Sequence, residues 1–192
     1  MRDETRMAEI ARDLATELRD RYWAQGTYPV DPFFIGHQMG VSITLAPLNN
    51  DGIDRQSPDW VDKRSAEWIC GALYKNPGEK EPSVVIETED GDVGQRFTMA
   101  HEIGHMSTET IGLTSDQITE KELSEIRYRH RYGSSSYEEH RADLLAHLLL
   151  IPGEVLMSRL AIDGSVDSIA KYFAVSKTTA DNRIKQLALL GI

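Results

Sequence analysis

Apolar side chains recur every three to four residues over the first two dozen positions. Ile10, Leu14, Leu18 and Tyr22 form a stripe that Met7, Ala11 and Ala15 widen, which predicts an amphipathic helix over about 3–24. Gly26 and Pro29 end it. Asp31-Pro32 has the form of an N-cap followed by proline at the first helical position, opening a short helix that Gly40 closes after Met39. The period then drops to two, and 41–47 alternates as a strand. The polar run 49–59 is a loop by composition. Segments 66–76 and 82–89 read as two more strands, paired as a hairpin across Asn76, Pro77 and Gly78 with a five- or six-residue connection.

Beyond residue 90 the pattern is helical. Asp92 with Gln95 three residues on resembles a capping box for a helix over 93–108. A charged helix is expected over about 116–131, then the Gly/Ser-rich tip 132–136, then a strongly apolar helix over 137–151 stopped by Pro152. From Glu154 onward the chain reads as helices broken at Asp163-Gly164 and again over 174–176. The expected class is α+β: a small, about three-stranded sheet with helices packed on one side. We expect a main domain over 1–153 and a helical subdomain over 154–192.

Composition narrows the function. The 192 residues are 40% apolar and 27% charged, as in an ordinary globular chain. A net charge of −10 disfavours non-specific binding to nucleic acid or anionic membrane. One cysteine, Cys70, excludes an internal disulfide framework and any CxxC zinc site. The start MRDETRMAEIARD has no apolar signal core, and the run 144–151 is too short to span a bilayer. The expected location is the cytoplasm, without a membrane partner.

The candidate chemistry lies in His101-Glu102-Ile103-Gly104-His105. Histidines at i and i+4 share one helix face, so both imidazoles can reach one metal ion. Glu102 stands about 100° around the helix from His101. From there it can act as a general base toward a water beside the metal without being a ligand.

A catalytic zinc takes three protein ligands and keeps one position open. The extended HExxHxxGxxH form fails here, since Thr108 and Ile111 occupy its glycine and third-histidine positions. The remaining candidates are His130, Glu138, Glu139, His140, Asp143 and His147. Glu139 and Asp143 lie one turn apart on a helix otherwise rich in leucine, where a carboxylate is costly unless paired or metal-bound. That favours Glu139 as ligand, with Asp143 accepting the outer N–H of a ligand histidine and fixing its tautomer. The competing role for Glu139 is a capping box with Ser136, a task Ser135 and Glu138 fill equally well.

RFTMAHEIGH followed by EHRADLLAHLLLIP resembles the ImmA/IrrE family of zinc metallo-endopeptidases. The family pattern is R-F-T-x-A-H-E-x-G-H, then E-x-x-A-[ND]-x-x-A-x-x-L-L-x-P. The second element falls here on Glu139, Ala142, Asp143, Ala146, Leu149, Leu150 and Pro152. The resemblance covers roughly 28–155 and departs at Leu145, where the family usually has phenylalanine. It implies a zincin-type helical core, with zinc held by His101, His105 and Glu139, and Glu102 as general base. Mn2+ or Fe2+ would suit the same atoms. It also implies a protein substrate: a helix-turn-helix repressor encoded nearby, cut so that a mobile-element or stress-response operon is released. The oxyanion donor stays open among Tyr137, His140, Tyr132, Tyr128 and His130. The polar segment from Ser107 to Ser136 is the natural substrate wall. Arg96 is expected in a structural ion pair.

A second reading belongs to another class. Residues 167–192 read as helix-turn-helix, with Ile169, Ala170 and Phe173 on one helix and Thr179, Ile184 and Leu187 on the next. The chain would then be a DNA-binding regulator or a repressor-sequestering protein with a structural or sensory metal. Lys171, Lys177, Arg183 and Lys185 stand against Asp163, Asp167 and Asp181, which makes no basic stripe.

Overall fold

The computed structural model describes residues 2–24, 26–48, 69–74, 81–108, 127–130 and 137–190, the strand 127–130 by its backbone alone. The helices are α1 (Arg2–Tyr22), α2 (Pro32–Gln38), α3 (Gly91–Thr108), α4 (Tyr137–Leu150), α5 (Gly153–Leu160), α6 (Val166–Phe173) and α7 (Lys177–Leu190). The strands are β1 (Ser42–Ala46), β2 (Ile69–Tyr74), β3 (Ser83–Glu87) and β4 (Arg127–His130). The expected α+β class holds. The three expected strands are present, and β4 adds a fourth.

The sheet order is β1-β3-β2-β4. β1 runs parallel to β3, while β2 is antiparallel to both β3 and β4, so the expected hairpin is there. Its described strands, 69–74 and 83–87, lie within the expected 66–76 and 82–89. The charged helix expected over 116–131 lies outside the described residues as far as 126, and at 127–130 the structure has strand instead. Arg-Tyr-Arg-His can alternate as well as it can coil, and pairing along β2 decides the matter.

β3 is buried along its whole length and faces two ways. Val84 and Ile86 join Met99, Ala100 and Ile103 of α3 in the main core, while Val85 packs with Ala46 and Leu48 beneath the other face. This is the period-two alternation of a strand covered on both sides. α4 is a core helix, buried from Leu144 to Leu150, and it packs against both α1 and α3.

α1 presents a different stripe from the expected one. Met7, Ala8, Ala11, Ala15 and Leu18 are buried, whereas Ile10 is 37% exposed. The small alanines let α1 lie close against α4, and that rotation moves Ile10 to the margin. Asp31 caps α2 as expected, its Oδ1 accepting the Phe33 and Phe34 N–H groups at 2.9 and 3.3 Å. The capping box at α3 does not form. The helix opens at Gly91 (φ +64°), Asp92 lies inside its first turn, and the Gln95 amide donates to the Glu87 and Thr88 carbonyls.

The C-terminal helices break where expected. Ser165 caps α6, its Oγ accepting the Ser168 N–H. Ala174 ends α6 in the left-handed region (φ 51°). Ile169, Phe173 and Ala180 share the main core with α3 and α4. Among the described residues no helix is long and apolar enough to cross a membrane.

Candidate metal centre

α3 carries His101 and His105 on one face, and α4 brings Glu139 to the same face. The two Nε2 atoms stand 3.0 Å apart. Glu139 sets one carboxylate oxygen 3.3 Å from His101 Nε2 and the other 3.2 Å from His105 Nε2. Both imidazoles are buried, at 1% and 2% exposure. Burial pushes the Glu139 carboxyl up, but hydrogen bonds and charge from His101 and His105 outweigh it and hold the group well below the usual carboxylate range.

The arrangement fits a metal. Ligand atoms around tetrahedral zinc, with bonds of about 2.0–2.1 Å, stand roughly 3.4 Å apart. The observed separations are close to one face of that tetrahedron. His101 Nδ1–H donates to Asp143 Oδ1 at 2.8 Å, so Asp143 orients the ring and Nε2 is the atom it would offer to a metal. His101, His105 and Glu139 form the one such group among the described residues.

Residues 38–185 match peptidase M78, the IrrE N-terminal-like domain. The chain belongs to this family. Its class is a metal-dependent peptidase of the ImmA/IrrE kind, which implies a protein substrate. No curated protein gives a significant match.

The close approach of α3 and α4 in this M78 chain depends on Gly104. A Cβ there would lie 2.8 Å from the Ala142 carbonyl oxygen and 2.9 Å from its Cα. Both are backbone atoms with nowhere to turn. Gly104→Ala therefore forces the two helices apart; we expect a loss of about 1–3 kcal/mol in chemical denaturation, with weaker zinc uptake alongside.

Glu102 is buried, at 1% exposure. It sits beside β2, where a Cβ on Gly71 would come 3.4 Å from Glu102 Oε1 and 2.5 Å from Thr98 Cγ2. Gly71 thus lets the strand close over the Glu102 side chain. Asp143 is testable by itself: Asp143→Ala removes the acceptor of the His101 N–H and should weaken zinc binding about 10- to 100-fold in a chelator competition.

The other candidates divide. Tyr137 is 63% exposed and lies near the Arg141 guanidinium, and His140 is exposed as well. Tyr132 and the side chains of Tyr128 and His130 lie outside the described residues, as does most of the expected substrate wall. His147 Nδ1 donates to the Asp143 carbonyl at 2.7 Å, and its ring meets Phe97 edge-on.

Arg96 departs from the expected ion pair. Its guanidinium donates to two backbone carbonyls, Ala174 (3.1 Å) and Val30. Sequence reasoning also missed Arg183, which is fully buried and donates from Nε to the Ile151 carbonyl at 2.9 Å. That removes one of the four cations counted for DNA. Lys177 pairs with Asp167, and Lys185 with Asp181.

Proposed function

We propose that this chain is a zinc-dependent endopeptidase that cuts a helix-turn-helix repressor at one site, in the cytoplasm, and so releases a mobile-element or stress-response operon. The observation that carries the reading is the convergence of His101, His105 and Glu139, with Asp143 fixing one imidazole. In this reading residues 1–153 form the peptidase domain, and 154–192 a helical subdomain that contributes no donor.

Zinc, when bound, supplies a Lewis acid for the scissile carbonyl and lowers the pKa of a coordinated water to about 7. The chain's own groups do the rest. His101 and His105 offer Nε2, and Glu139 offers carboxylate oxygen. Glu102 takes a proton from the attacking water and returns it to the leaving amine as the peptide C–N bond breaks. Its burial against β2 strengthens every charge interaction in that exchange.

The regulator alternative loses support from the C-terminal helices, where one cation is buried and two are in ion pairs. The test is incubation with the repressor encoded beside the gene. One pair of fragments with zinc, and none with chelator, is the expected result. A stable complex with uncut repressor would replace proteolysis by sequestration.

A further inference from the structure

We infer that Arg96 is a positioning residue for the metal centre, holding α3 in place against the turn between α6 and α7. The inference rests on the reading of His101, His105 and Glu139 as zinc ligands.

Arg96 lies on α3, five residues before His101. A guanidinium presents donors in a fixed plane, so one side chain can bind two carbonyls at once. Here Nε–H reaches Ala174 and Nη2–H reaches Val30. The Ala174 carbonyl lies in a non-helical turn, because the residue ends α6 in the left-handed region. Val30, just before α2, is fully buried. Burial lowers the Arg96 pKa and nearby Asp31 opposes the shift.

The same C-terminal unit also grips the other ligand helix. Arg183 of α7 donates to the Ile151 carbonyl at the end of α4. Burial, helped by the charge of Arg19 and opposed by Glu154, brings Arg183 down to about 10. Arg96 and Arg183 thus connect α6–α7 to both helices that bring donors to the centre. A metal site requires its donors within about 0.2 Å of their proper distances. With Gly104 against the Ala142 backbone, α3 has little room to tilt without moving His101 and His105 away from Glu139.

The experiment measures zinc affinity by chelator competition, and metal-free thermal stability, for the parent, Arg96→Ala and Arg96→Lys. A positioning role weakens zinc about tenfold in folded Arg96→Ala. Arg96→Lys, whose ammonium lacks the fork for both carbonyls, should fall part-way, by about threefold. A merely structural role lowers the metal-free melting temperature and leaves affinity within about twofold of the parent; that result overturns the inference. Should Arg96→Ala fail to fold, the affinity of Arg96→Lys decides by the same threshold. A parent that takes up no zinc would sink the site reading itself. A tight parent with an equally tight Arg96→Ala would sink only the positioning role.

Discussion

Glu102→Gln is expected to keep its zinc and to lose cleavage by about a thousandfold, within the range that a positioned general base contributes. The substitution is close to isosteric, and the side chain is almost completely buried. Glutamine therefore fills the same space beside Gly71 and Thr98. It cannot take a proton from water. None of the three grouped donors belongs to residue 102, so metal uptake should match the parent. Two measurements are needed together: single-turnover cleavage of the repressor, and zinc affinity by chelator competition. A variant that cuts at the parent's rate removes Glu102 from the chemistry. A variant that loses its metal makes Glu102 a structural support of the site.

How much of this site could be read in the sequence depends on the range of each interaction. The spacing of His101 and His105 is local, and the helix that realises it runs from Gly91 to Thr108. Glu139 was reached by a cost argument, a carboxylate on a leucine-rich helix, and the structure sets it against both imidazoles. Gly104 was invisible by that route, because its reason is the Ala142 backbone on another helix. Arg96 and Arg183 were misjudged for a related reason. Sequence patterns make an arginine look for a carboxylate or for solvent, whereas both bind carbonyls left over at helix ends and turns. The stripe on α1 failed in degree only: apolar spacing identified the helix, but alanine packing set its rotation. β4 follows the same logic, since a four-residue segment takes its conformation from the neighbouring strand.

The second large effect concerns Glu139, where two roles compete. As the third ligand its carboxylate holds the metal; as a helix cap it would satisfy backbone N–H groups at the start of α4. Glu139→Gln separates them, because glutamine serves a capping box about as well as glutamate but brings no charge to a cation. The geometry favours the ligand role, since the carboxylate faces His101 and His105 at 3.3 and 3.2 Å. Loss of a ligand should cost at least the roughly 100-fold in affinity that losing an outer partner can cost. A 100-fold weaker site removes about 2.7 kcal/mol of zinc-dependent stabilisation at a fixed excess of metal. In a chain of this size that corresponds to roughly 5–11 °C of the zinc-induced rise in melting temperature. The comparison is between the zinc-induced shifts of parent and variant, so any change in the metal-free protein cancels. Glu138→Gln, one residue away and exposed, is the control and should retain the full shift. If Glu139→Gln also retains it, Glu139 is not a ligand, and the third donor must be sought elsewhere in the chain.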